Sequence, residues 1–456
     1  MKKITSFRPM LFILLVLSAG ACSEEFLEPE VTTAKDVSTS VNTAEDLRSI
    51  VYGAYDRMNE RNYYGKDYII FAEVRSDNAY SNANSSQYVG PGQFFLTPTD
   101  YYPENTWRQI YAVIANANIV INTEVADNES AEVQHLKGQA HAIRALAYLD
   151  LLGIYGQQYA GGTLGVPLIL KFKEDNSFPE RASAQAVWDQ IGQDLQTAAD
   201  IMDPTLDAAT PTVLSSGAVY GLQSRYYLYT KDYAQAAVAA KKVIDSGKFS
   251  LAGVGNYVGS WAIDGGSNVL FELAFTDTDN LSFNSLYFMY QDTYYGDILV
   301  TDDLYNLYED ADVRKSLYGV NGDTIRMIGK YPSASTTDNI KIIRYAEVIL
   351  NYAEALVQTG SSEEALTYLN MIPEHRGSSL YSEATLDNVL LERRKELAME
   401  GLRFFDLMRY ERTIPYVDPR QTFDKAGIAF GSPVLAFPIP QDELSANASI
   451  TQNEGY

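Results

Sequence analysis

The 456-residue chain has one cysteine, Cys22, and three histidines, His135, His141 and His375. A lone cysteine excludes a disulfide within the chain. None of the histidines has a cysteine partner or an HExxH frame, so zinc chemistry and a Ser-His-Asp constellation lack their usual parts. No metal site, cofactor or enzymatic activity is expected. Positive charge is also scarce: 35 Lys and Arg stand against 59 Asp and Glu, a formal charge of −24. Such a field repels phosphate backbones and argues against nucleic acid, leaving neutral, cationic or protein partners. Long apolar runs are missing too. The stretch Met10–Leu17 falls well short of the roughly 20 apolar residues that a spanning helix needs.

That stretch has the setting of an export signal. Lys2, Lys3 and Arg8 precede or open it, and Ser18-Ala-Gly-Ala21 follows, directly ahead of Cys22. Residues 1–21 therefore read as a cleaved signal peptide. Cys22 fits the lipobox of a bacterial lipoprotein, its thiol carrying lipid, and residues 22–45 form a tether. Glu24 and Glu25 resemble the acidic signal that directs such lipoproteins to the outer face of the membrane.

The remaining chain exceeds the usual single-core size, and one large domain or two intimately packed ones are expected. Its dominant pattern is helical. Leu47, Ile50, Val51, Ala54, Tyr55 and Met58 recur at helical spacing over 43–64, with Thr43, Glu45 and Asp46 suited to a capped start. Further helices are expected at 107–125, 131–155, 184–202, 217–229 and 233–246. In the last pair, Ala218, Leu222, Tyr226 and Tyr229 face Ala236, Ala237, Ala240, Val243 and Ile244 across the turn at Lys231-Asp-Tyr233, a tetratricopeptide-like unit. A second such unit spans 345–370, around the turn at Gly360. No strict 34-residue period links the two, so a simple solenoid is excluded. The organisation expected is a helical part over 46–250, a loop-rich ligand-binding region over 251–340 with short strands such as Asn268–Ala274, and a C-terminal part over 341–456. Residues 69–104, rich in Ser, Asn, Gly and Pro, read as irregular loops.

Several segments spread over the chain resemble the SusD/RagB family. They are Phe26-Leu-Glu-Pro29; Trp107, Tyr111, Ile114 and Asn116; Ala140, Arg144 and Tyr148 leading to Tyr155-Gly156 and Val166-Pro167; Ile343–Leu350 with Ala353-Glu-Ala355; Glu392-Arg-Arg-Lys-Glu396 with Glu400-Gly-Leu-Arg403 and Phe405-Asp-Leu407; and the ending Gln452-Asn-Glu-Gly-Tyr456. Met371-Ile-Pro-Glu-His-Arg376 departs from the family pattern, and a local loop change is expected there. The resemblance implies a mainly α fold, a tetratricopeptide-like helix-turn-helix scaffold with inserted loops and short strands (SusD-like). It also implies a lipid-anchored outer-membrane protein, facing the cell exterior, that presents a glycan to a SusC-like TonB-dependent transporter. A peptide ligand, as in the RagB branch, is the alternative.

Carbohydrate recognition needs exposed aromatic faces and amide or carboxylate partners for hydroxyls. Two loop regions combine them, and the candidate ligand-binding residues are Asn78, Tyr80 and Tyr88 in the first and Trp261, Tyr290, Asp292, Tyr294 and Tyr295 in the second. Trp107 and Trp188 fall inside helical patterns and read as core. The stretch Glu392–Asp406 offers Glu396, Glu400 and Asp406 as conceivable paired carboxylates for glycoside hydrolysis. A structural helix with Glu392–Lys395 and Glu400–Arg403 pairs is the more economical reading.

Overall fold

Thr43 begins the first helix as its spacing predicts. Its hydroxyl accepts from the Asp46 backbone N–H at 3.2 Å, and the Asp46 carboxylate accepts from the Thr43 N–H at 3.1 Å, a reciprocal cap. A computed structural model describes residues 41–172 and 178–456. Cys22, the leader and most of the tether lie outside the described residues, and Thr43–Tyr456 forms one compact unit.

Helix α1 (Ala44–Met58) buries Leu47, Val51, Ala54, Tyr55 and Met58. It stops short of the expected 64 because the chain folds tightly back on itself. A Cβ on Gly65 would stand 2.0 Å from the Asn59 carbonyl, so only glycine fits that turn. Helix α2 (Asp67–Val74) occupies part of the segment read as loops. All eight of its residues are buried, so it carries no polar face and no amphipathic period.

Helices α4 (Ala131–Tyr155), α5 (Ala184–Ile201), α6 (Ser216–Tyr229) and α7 (Tyr233–Asp245) follow as expected, within a residue at their ends, whereas the helix before them, α3 (Tyr101–Asn122), begins inside the segment read as loops rather than at 107. Ser130, Ser183, Ser215 and Asp232 cap α4 to α7, each accepting a backbone N–H from the first turn. Sequence neighbours pack side by side from α3 to α7. Helices α8 (Tyr345–Gln358) and α9 (Ser362–Glu374) form the second helix-turn-helix, and α8 packs directly on α7. The two tetratricopeptide-like units are thus stacked despite the insert of residues 246–344 between them. Leu228, Ala236 and Ala355, drawn from α6, α7 and α8, share one buried cluster beneath Tyr227, Tyr229 and Tyr233. The alanines allow three helices to approach there.

Helix α9 runs through Pro373 to Glu374, and His375 and Arg376 begin the turn that follows it. The helix continuous over Glu392–Asp406 is corrected. The chain forms α10 (Leu386–Leu397) and α11 (Arg403–Arg409), with Met399 and Gly401 at φ of +65° and +84° between them. Gly401 donates its N–H to Glu73 at 2.8 Å, and a Cβ there would stand 3.0 Å from the Ile69 Cα. Docking on α2 dictates this break.

The strands are short and antiparallel. β1 (Ala79–Ser81) pairs with β3 (Ile298–Val300), β2 (Val269–Leu273) with β6 (Ile340–Arg344), and β4 (Tyr318–Asn321) with β5 (Thr324–Met327). The β2–β6 pair closes the insert onto the scaffold, and β1–β3 ties it to the loop that follows α2.

Candidate ligand-binding site

Pairing of β1 with β3 brings the two candidate loop regions together. Asn82 Nδ2 donates to the Gly296 carbonyl at 3.2 Å and Asn84 Nδ2 to the Tyr295 carbonyl at 2.5 Å. Ser85 donates its N–H and hydroxyl to the two oxygens of Asp297, at 2.8 and 2.5 Å. Gly296, at φ +57°, makes the turn that aims the preceding tyrosines outward.

The result is an exposed aromatic platform. Tyr294 is 66% exposed and Phe283 48%. Their ring centres are 4.7 Å apart with planes inclined by 37°, and Tyr295 meets Tyr294 edge-on at 4.8 Å. Phe288 supports Phe283 from 5.0 Å and Tyr287 from 5.1 Å. Each ring is thus braced by neighbours while the outer pair keeps open faces. Beside them Asp292 is exposed, its carboxylate 3.6 Å from Arg326, whose guanidinium also donates to the Gly296 carbonyl at 2.8 Å. A stacking surface with adjacent hydrogen-bonding groups suits sugar rings, which present C–H faces and hydroxyl edges. Phe283 and Phe288 escaped the sequence reading. The signal lay in Ser282-Phe-Asn284, a phenylalanine set between polar residues.

Of the sequence candidates, Asp292, Tyr294 and Tyr295 gather here; the others lie in the interior. Asn78 is fully buried, donating to Glu73 at 2.9 Å and accepting from Arg394 at 2.9 Å. Tyr88 is likewise buried, its hydroxyl donating to Asp67 at 2.6 Å. Tyr80 sits on β1 beneath Arg420, whose guanidinium is 5.2 Å from the ring centre. Tyr290 packs on Tyr331 at 5.8 Å. Trp261, expected to be exposed, is 3% exposed and ringed by Lys330, Arg344 and Lys341 at 4.7, 5.0 and 5.4 Å from the indole. Conversely Trp188, read as core, is half-buried. In each of the buried cases a distant partner in the chain covers a side chain that its local composition marks as surface.

The enzyme-like carboxylates are held elsewhere. Glu396 accepts from Arg376 and Arg344, each at 2.9 Å, and from Arg314 at 3.2 Å. Burial would raise its pKa, but Arg376 and Arg344 keep it well below the usual carboxylate range. Glu400 bonds Arg344 and Lys330 instead of Arg403, which pairs with Asp77 at 2.7 Å. The expected Glu392–Lys395 pair is present at 3.3 Å. Asp406, also buried, is brought to about 2 by Arg393 and Arg409. A glycosidase needs one carboxyl poised to donate a proton, and these are ionised and enclosed by cations. Among the described residues no group of His, Cys, Asp and Glu is placed to hold a metal ion, and no helix is long and apolar enough to cross a membrane.

Fold and site together define a helical-repeat protein that carries its exposed rings on loops inserted between stacked units. Two family models match, one described as the SusD family over residues 328–456 and one as starch-binding associating with outer membrane over residues 25–228. A SusD-like protein, P38, of Formosa agariphila is 26% identical, covering 92% of this chain and 94% of its own. Crystal structures of SusD superfamily proteins from Bacteroides vulgatus and Bacteroides thetaiotaomicron are each 26% identical. Their TM-scores are 0.84 and 0.82, and they cover 91% and 90% of this chain and 99% of each of theirs. The chain belongs to the SusD/RagB family.

Proposed function

We propose that the protein is a lipoprotein anchored through Cys22 to the outer face of the outer membrane, where it captures an oligo- or polysaccharide and passes it to a SusC-like TonB-dependent transporter. It binds the glycan without cleaving it. The observation that carries this reading is the pair Phe283 and Tyr294, open to solvent, braced by the half-buried Tyr295 and flanked by Asp292. The leader ahead of Cys22 and the family description that couples starch binding to the outer membrane support the location. The enclosed state of Glu396, Glu400 and Asp406 supports binding over hydrolysis.

The test is retardation of the anchor-free protein on native gels containing amylopectin, xylan, galactomannan or a mixed-linkage β-glucan, with product analysis. Retardation by one polymer, abolished by Tyr294→Ala and Phe283→Ala without release of shorter products, is the expected result. Absence of retardation by every polymer, with binding of peptides instead, replaces the glycan by a peptide ligand.

A further inference from the structure

The segment that carries Phe283 rests on residues 331–340 across a small chamber. Leu281 and Ser285 line it from the platform side, Tyr331, Thr336 and Asp338 from the other, and Gly65 closes one end. At its edge the two segments meet directly, the Thr336 hydroxyl donating to Asn280 Oδ1 at 2.9 Å. The free volume between them is about 20 Å³. A water needs roughly 10–15 Å³, and a sugar ring needs many times more, so the space fits one water molecule.

Two of the lining residues carry hydroxyls that the chain leaves unpaired. Ser285 and Tyr331 are both buried, and neither Ser285 Oγ nor the Tyr331 hydroxyl has a hydrogen-bond partner among the described residues. A buried hydroxyl in that state has lost its hydration without compensation, so folded proteins rarely keep one. Here two of them border the same cavity from opposite sides. Beside them Asp338 accepts the Ser333 backbone N–H at 2.7 Å through Oδ2, and a carboxylate has capacity for further donors. We infer that one ordered water is bound in this chamber, accepting from the Ser285 and Tyr331 hydroxyls and donating to the Asp338 carboxylate. Three partners are the ordinary complement of a buried water. The water joins the chain two residues beyond Phe283 to the segment that leads into β6, which makes Ser285 and Tyr331 positioning residues for the platform. The inference rests on the unpaired hydroxyls and the volume between them, and is independent of the glycan reading.

The test is a double-substitution cycle on the mature chain, joined to a crystal structure fine enough to show ordered water. Tyr331→Phe and Ser285→Ala each delete one hydroxyl and little volume. If the hydroxyls had no partner at all, their removal would raise the thermal midpoint. A shared water makes each removal lower it, by about 1–2 °C for a chain of this size. The double variant then loses clearly less than the sum, because both hydroxyls hold the same molecule. Density for a single water within hydrogen-bonding distance of both hydroxyls and of Asp338 is expected in the parent protein and is lost in the double variant. A raised midpoint in either variant, additive effects, an empty chamber, or the short oxygen contacts of a metal cation overturns the assignment. Amide exchange over residues 281–296 should quicken about threefold or more in each variant while that of α4 stays the same, and unchanged exchange over 281–296 removes the positioning role. Tyr294→Ala leaves the cycle and the density as they are, which separates this site from the platform.

Discussion

The Arg344 guanidinium lies 5.0 Å from the centre of the Trp261 indole and at the same time donates to Glu396 and Glu400. One face of the cation meets a ring and its edges meet carboxylates, so the insert that carries Trp261 is locked to α10 through a side chain at the end of β6. Trp261→Ala removes a buried indole and should cost about 3–5 kcal/mol of stability. Chemical denaturation of the variant shows this as a lowered midpoint, and glycan binding by the fraction that remains folded is unchanged.

The platform behaves in the opposite way. Tyr294→Ala alters a ring with one face in water, and its effect on stability should stay within about 0.5 kcal/mol. Gel retardation should nevertheless be lost. A thermal midpoint close to that of the parent protein, alongside lost retardation, is the result that checks it.

Glu396 stands among Arg376, Arg344 and Arg314 with no exposure to solvent. Glu396→Gln leaves three buried guanidinium groups short of a counter-charge, and removal of one partner from such a cluster typically costs about 3–5 kcal/mol. Urea unfolding at pH 7 measures the loss. A change below about 1 kcal/mol would mean that the arginines find compensation elsewhere.

Asp150 gives a dependence on pH. Burial lifts its carboxyl to about 6, against opposing hydrogen bonds from Tyr63 and its tyrosine neighbours. A carboxyl raised in the folded state favours folding while protonated in both states, and this contribution is lost as pH climbs from its unfolded value near 4 toward about 6. Asp150→Asn should therefore stabilise the protein at pH 7 by up to about 3 kcal/mol, with the gain shrinking toward pH 4. Thermal midpoints of both proteins across that range supply the comparison.

Asp406 titrates with the other sign. Its carboxyl is held at about 2 by Arg393 and Arg409, so its contribution is present above pH 4 and fades as pH falls toward 2. Asp406→Asn should lower the midpoint at pH 7 and make acid unfolding less steep.

If the proposed platform takes the glycan, its binding leaves tryptophan emission unchanged, because the rings there are phenylalanine and tyrosine. A strong tryptophan response to a retarding polysaccharide would place its contacts elsewhere on the surface.

The scaffold was legible wherever burial is one-sided. Helix α4 spans Ala131–Tyr155 as read from the sequence, and the α6–α7 hairpin turns at Lys231 and Asp232 as its alternation of faces requires. Helix α2 was not, because complete burial erases the contrast between faces on which the reading depends. The site was half legible for a related reason. Tyr294 and Tyr295 ahead of Gly296 announce a bend, but the Gly-rich setting of Trp261 conceals that Lys330, Lys341 and Arg344 close over it from far along the chain. Phe283 was passed over because an apolar side chain is ordinarily assigned to the interior.

Residues 246–344 leave the scaffold after α7 and return at α8, two helices already in contact. The insert is thus a cassette whose two ends are adjacent on a finished frame. Lengthening such a loop raises its closure entropy only logarithmically. The outer loop that bears Phe283 and Tyr294 can therefore change in length or sequence while Arg314 and Arg344 keep the rest of the insert anchored on Glu396, so that the exposed rings and the packed frame can vary separately.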